Sequence, residues 1–173
     1  MKLPKKPTIL IDSREQKPVF DISTPPPANV AGYEITTIDA GDYTVKELSN
    51  IVIVERKANA KELYGNFILN KDRFIRQVER MRTYAHKYIV VEQTYPEFLN
   101  VKYLTFINPF KRRFSIISTI ESWLISLSQT ENIHFIFAGK ENAPRIIQNI
   151  LVKSYEYARK DYKRKTSVIQ KSN

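Results

Sequence analysis

Cysteine is absent from the 173 residues, and histidine occurs only at positions 86 and 134. The first absence removes disulfide frameworks, thiolate zinc sites and cysteine nucleophiles, and it suits an intracellular protein. The scarcity of histidine removes imidazole-rich metal sites. Any metal is then expected to be hard and oxygen-bound, such as Mg²⁺ or Mn²⁺. No apolar run approaches the ~18 residues of a membrane helix. The apolar part of the basic leader, Thr8 to Ile11, is too short for the core of a secretory signal. Acidic residues are in deficit, 18 against 28 basic ones, for a net charge of +10. Such a surplus points to a polyanionic partner, most commonly nucleic acid, although a lysine-rich solvated surface gives the same balance. Apolar residues make up 42% of the chain, enough for a core in one domain.

The apolar patterning predicts strands first and helices later. Residues 8–12 form a short strand, and 13–32 a loop around the triplet 25-PPP-27. Strand-like segments 33–39 and 42–46 flank a tight turn at Ala40-Gly41. The run 51-IVIVERK-57 is apolar on both faces, as in the middle of a helix-covered sheet. Helices are expected over 60–67 and over 72–86, the latter with Phe74, Val78, Met81 and Ala85 in one stripe and His86 at its end. A strand follows at 88–92, then irregular chain over 93–112. A helix over 114–128 carries Trp123 toward the core, a strand spans 133–138, and a helix spans 142–160. This order predicts one α/β domain over 1–160, a mixed central β-sheet with helices on both faces, and a flexible basic tail over 161–173.

The strand at 51–57 ends in three charges. Glu55 and Lys57 are two apart and share a face, while Arg56 points the other way. Asp12 and Glu15 follow the first strand, and Asp42 follows a glycine turn. Carboxylates gathered at a sheet edge can hold a divalent metal, and a lysine beside them can orient water or neutralise a phosphate in flight. An Asp followed by Glu-x-Lys also arises by chance, and the charges alone read equally well as the solvated end of a buried strand.

The wider context is more specific. The string 41-GDY together with 54-VERK-57 resembles the nuclease motif of the XPF-type (xeroderma pigmentosum group F) structure-specific endonucleases, a branch of the PD-(D/E)XK superfamily. That motif reads GD…ERK, then three residues and an Asp. The segments 9-ILIDSRE-15, 73-RFIRQVERMRTY-84 and 88-YIVVE-92 resemble other blocks of the family. The segments 107-INPFKRRFSIISTIESW-123 and 135-FIFAG-139 look like its compact bacterial and phage members. Together these blocks span Ile9 to Arg159.

The resemblance implies a restriction-endonuclease-like fold and a Mg²⁺- or Mn²⁺-dependent endonuclease acting on branched, flapped or duplex DNA. It implies metal ligands at Asp42 and Glu55 and a catalytic lysine at Lys57, with Asp12 and Glu15 completing the acidic pocket. Arg14 and Arg56 would contact phosphate or position the acids. Arg73 would lie near the scissile strand at the start of its helix. By themselves Arg73, Arg76 and Arg80 read as a solvated helix surface; the nuclease reading makes them a DNA-facing track. The segment 102-KYLTFINPFKRR-113, with Lys111, Arg112 and Arg113, reads as a loop that grips a strand by stacking and phosphate contact or, equally, as one that Phe106 and Phe110 pack down. The resemblance also implies a cytoplasmic location in a prokaryote or phage-infected host, or a nuclear one in a eukaryote.

Two departures stand out. The family's Asp falls on Lys61, and the nearest acid, Glu62, lies one position later, a rotation of about 100° on a helix. Either a local insertion returns Glu62 to the site or the site has one acid fewer. The tandem helix-hairpin-helix domain of larger relatives is also missing from these residues, so a homodimer or a partner carrying that domain is an expected companion. Two rival readings follow: a non-catalytic DNA-binding module, and a nuclease subunit that depends on a DNA-binding partner.

Overall fold

The computed structural model describes residues 3–48, 50–100 and 113–171. Lys111 and Arg112 lie outside the described residues, as do Phe106 and Phe110 and the side chain of Arg113. Among the described residues, one sheet is built from β1 (Thr8–Asp12), β2 (Gly32–Thr36), β3 (Tyr43–Val45), β4 (Val52–Lys57), β5 (His86–Val91) and β6 (Ile133–Phe137). Its order is β2-β1-β3-β4-β5-β6. β3 runs antiparallel to both β1 and β4, and every other pair is parallel. The expected mixed sheet is therefore present, with β3 and β4 at its middle. The described helices are α1 (Ala60–Ile68), α2 (Lys71–Met81), α3 (Tyr95–Leu99), α4 (Arg113–Glu131) and α5 (Ala143–Lys171).

The unbroken apolar run of β4 is buried on both faces, as its composition demands. Val52 and Val54 pack with Ile9, Ile11 and Val90 against Ala143, Ile147, Leu151 and Tyr155 of α5, which recur every fourth residue along one stripe. On the other face, Ile89 and Val91 meet Leu63 and Phe67 of α1, Phe74 and Val78 of α2, and Ile120 of α4. A third, smaller cluster joins Ile53 to Ile38, Ala40, Met81 and Tyr84. Helices thus cover both faces, and the charged end of β4 continues a strand fixed by some of the least accessible side chains in the chain.

Several element boundaries differ from the sequence reading. α2 stops at Met81, because the amides of Ala85 and His86 are taken by the carbonyls of Asn50 and Ile51. His86 therefore opens β5 and does not close a helix, and Ala85 is exposed. The stretch read as irregular after residue 93 contains α3, which Thr94 caps reciprocally with Glu97, with Pro96 in the first turn. β2 ends at Thr36, three residues short of Asp39. α5 continues to Lys171, beyond 160, with neither glycine nor proline to stop it. Trp123 is partly buried on α4, packed against Phe67 with the Lys71 amine over its ring.

Candidate active site

β1 and β4 are both antiparallel to β3, so their C-terminal ends share one edge of the sheet. The Asp12 amide donates to the Asp42 carbonyl (2.8 Å), and the Asp42 amide donates to the Val54 carbonyl (2.9 Å). Asp42 is thereby wedged between the two strand ends. Alternation along β4 puts Glu55 and Lys57 on the face of Ile53, beneath α2, and turns Arg56 to the face of Val52 and Val54. Both Glu55 and Lys57 are buried, at 6% and 5% exposure. The Lys57 Nζ donates to Glu55 Oε1 at 2.6 Å and to Glu62 Oε1 at 3.4 Å.

The position of Glu62 follows from the start of α1. Asn59 caps that helix by accepting the Glu62 amide (3.0 Å), and the Glu62 Oε2 accepts the Ala58 amide (2.9 Å). This exchange folds the Glu62 carboxylate back toward Lys57. Of the two alternatives left by the sequence, the geometry is the one in which Glu62 returns to the cluster.

The electrostatics are unbalanced. Burial pushes the Asp42 carboxyl up to about 8; the negative charge of Glu55 adds to this, against a donated Arg56 amide at 2.7 Å. Burial pulls the Lys57 amine down, but Glu55 and Glu62 outweigh it, so Lys57 stays above the ordinary lysine range and is cationic at neutral pH. The cleft around these groups encloses about 540 Å³ and is lined by Asp12, Asp42, Glu55, Lys57 and Glu62, with Arg73 on one wall.

A family model described as the ERCC4 domain matches residues 11–144. The chain belongs to the ERCC4 domain family. Among solved structures it is similar to XPF from Aeropyrum pernix, at 21% identity and a TM-score of 0.58, over 85% of this chain and 60% of that one. It is also similar to XPF from Aeropyrum pernix in complex with DNA, at 19% identity and a TM-score of 0.57, over 87% of this chain and 66% of that one. The chain therefore spans under two thirds of the length of either structure. No curated protein matches it. The fold of this ERCC4 domain is the restriction-endonuclease-like one that the motif implies.

Within the ERCC4 domain, the acids foreseen from sequence do not all face the cleft on equal terms. Asp12 is held at both oxygens, by the Arg14 Nε (2.8 Å) and the Ile38 amide (3.3 Å). Glu15 accepts from the Arg56 guanidinium (3.0 Å) and from the Lys17 amide (2.8 Å). Arg56 completes a bridge to Glu92 at 3.0 Å, so its side chain ties the loop after β1 to the end of β5. Arg14 also donates to the Ile38 carbonyl. Among the described residues, no three acidic or histidine side chains form a ready cation cluster. Asp42 and Glu55 nevertheless fit a hard cation: both are oxygen donors in a buried site, and the charge of Glu55 raises the Asp42 pKa.

Of the basic track on α2, Arg73 and Arg80 line the cleft together with Gln77, while Arg76 does not. Positions 73, 77 and 80 lie on one helical stripe, which the spacing of the arginines alone did not reveal. Arg80 is anchored by its Nε to the Asp39 carbonyl (2.9 Å). Sequence reasoning also passed over Asn66 and Glu92. Asn66 lies one turn after Glu62 on α1, a spacing that could have found it. No local signal marked Glu92.

Gly41 presents Asp42 with φ at +72°, and a Cβ there would sit 2.5 Å from Ile53 Cγ1 and 3.0 Å from the Val54 carbonyl. Gly41→Ala adds left-handed strain to a core clash. It is expected to cost roughly 2–4 kcal/mol, read as a fall in melting temperature. A melting curve equal to that of the parent chain would show that the turn rearranges freely.

Proposed function

We propose that the chain is a divalent-metal-dependent DNA endonuclease hydrolysing phosphodiester bonds in branched, flapped or duplex DNA. The observation that carries this is the convergence of Asp42, Glu55 and Lys57 at one sheet edge in an ERCC4 domain. Asp42 and Glu55 would hold Mg²⁺ or Mn²⁺, which supplies Lewis acidity and a water of lowered pKa. Lys57 holds a positive charge in a buried place, where it neutralises the anionic phosphorane and orients the attacking water. Glu62 and Glu55 keep the amine from swinging away. Arg73 and Arg80 grip phosphates on the wall of the cleft, and Arg56 and Arg14 position the acids. The test is cleavage of labelled duplex, flap, fork and single-stranded DNA with Mg²⁺ or Mn²⁺ against EDTA. Metal-dependent nicking supports the reading; tight binding with no cutting under either metal sinks it for the isolated chain.

A second reading is a DNA-binding module with a nuclease fold. Its support is the lack, among the described residues, of three carboxylates gathered for a cation. A third reading, a subunit that requires a helix-hairpin-helix partner, rests on the family resemblance alone.

Phosphate contacts should be legible in salt dependence. Arg73→Ala is expected to weaken binding similarly across sequences and to reduce the slope of log K against log salt by about 1. Arg76→Ala, outside the cleft, is expected to change it less. Fluorescence anisotropy over a salt series checks both, and equal effects would mean that the cleft wall is not the contact.

A further inference from the structure

The long helix α5 does two different things along its length. Up to Tyr155 it packs on the sheet, with Ala143, Ile147, Leu151 and Tyr155 inaccessible. The Tyr155 hydroxyl donates to the Pro4 carbonyl (2.8 Å), four residues before β1 begins. This places Tyr155 at the N-terminal ends of β1 and β4, opposite the ends that carry Asp12, Glu55 and Lys57. From there the helix runs on past the sheet, and every side chain from Lys160 to Lys165 is exposed.

That overhang is strongly basic. Between Tyr157 and Lys165 it has five basic side chains against one acid, Asp161, and the acid is already paired with Lys165 at 2.9 Å. Lys5 and Lys6, exposed beside Pro4, add to the same end. Tyr157 stands 68% exposed among these charges with the Lys160 amine over its ring (5.6 Å). A helix that is charged all round and leaves the core gains nothing from burial. Its surplus of cations, interleaved with an exposed aromatic ring, matches a phosphate backbone in charge. The rise of an α-helix separates Lys165 from the first turn of α5, at the cleft end, by about 33 Å. The cleft lies on the opposite face of the sheet from α5, so a straight duplex seated in it would not meet this arm.

We infer that the exposed end of α5 is a second, sequence-independent nucleic-acid contact, separate from the catalytic cleft, which takes another DNA segment or another arm of a branched substrate. It rests on the reading of DNA as the partner. The chain would then hold two phosphate-binding regions facing different ways, as binding of a branched substrate requires.

The test counts duplexes. With a duplex of about 12 base pairs, little more than one helical turn, the wild-type chain at low salt is expected to bind two per chain by sedimentation and anisotropy. The charge-reversal variant K160E/K163E/R164E is expected to bind one and to cleave short substrates at the wild-type rate. The neutral variant K160Q/K163Q/R164Q, with helicity checked by circular dichroism, separates lost charge from lost helix and should weaken the second site at least tenfold. Unchanged stoichiometry and affinity in both variants overturns the inference. So does loss of binding to anionic lipid vesicles with DNA binding intact, which would assign the arm to a membrane surface. If the wild type takes a single duplex and reversal abolishes it, the arm stands and the cleft falls as a DNA site. If the wild type takes a single duplex and that duplex survives reversal, the arm falls and the cleft stands.

Discussion

Lys57→Ala is expected to lower metal-dependent DNA cleavage by about 10²–10⁴-fold, the range that a positioned charge or proton-transfer group supplies. DNA affinity should change little, because Lys57 is buried beneath the wall formed by Arg73 and Arg80. The effect has two sources that must be separated. Removal of the amine takes away the positive charge that the proposed reaction would set against the phosphate. It also leaves Glu55 buried without its 2.6 Å partner, and loss of one member of a buried pair costs about 3–5 kcal/mol. Lys57→Ala should therefore melt earlier as well as cut more slowly. The double variant Glu55→Gln/Lys57→Met removes both charges, and its stability should recover while cleavage stays lost. Single-turnover cleavage beside thermal melting makes the comparison. Recovery of cleavage with stability would reduce Lys57 to a structural ion-pair partner.

The sequence made the centre of this molecule legible for physical reasons that did not extend to its margins. β4 could be read because an apolar run of β-branched residues has few places to go except the middle of a covered sheet. The shared face of Glu55 and Lys57 follows from the twofold period of a strand, which β4 keeps without a break over Val52–Lys57. Asp42 is visible as an acid after a glycine turn, but its role comes from the GD…ERK resemblance, since its place depends on how β1, β3 and β4 pair. Spacing leaves Glu62 undecided, because the answer lies in the Asn59 cap and the Ala58 amide, which fold the Glu62 carboxylate back toward Lys57. The Glu15–Arg56–Glu92 bridge pairs Arg56 with residues 41 and 36 positions away and has no local signature. α2 was read too long because its stripe continued in phase, while the competing hydrogen bonds to Asn50 and Ile51 lay outside the window. Composition does not give the length of α5, which runs to Lys171 with no glycine or proline to end it.

The other large effect is a dependence of stability on pH that a divalent cation should reverse. The folded-state pKa of Asp42, about 8, lies above its ordinary value of 3.8. A carboxyl raised on folding binds more protons in the folded chain than in the unfolded one. Its contribution is fully present below about pH 4 and is lost as pH rises through 8, at up to about 1.4 kcal/mol for each unit between. In EDTA the melting temperature is therefore expected to fall from pH 5 to pH 9. Glu97, Glu131 and Asp161 have lowered values and act in the opposite sense, but only at the acid end, below this window. Asp42→Asn keeps an oxygen to accept the Arg56 amide and discards the charge, so it should flatten the fall and raise stability at pH 8–9. The same variant should lose cleavage, the pattern of a site whose charge is kept for function at the expense of the fold. Mg²⁺ or Mn²⁺ binds the ionised carboxylate, so its stabilisation of the wild type should grow with pH and be small in Asp42→Asn. Scanning calorimetry over pH 5–9 with and without metal reads all of this. A melting temperature that is flat in EDTA, or a metal effect equal in both chains, would remove Asp42 from the cation site.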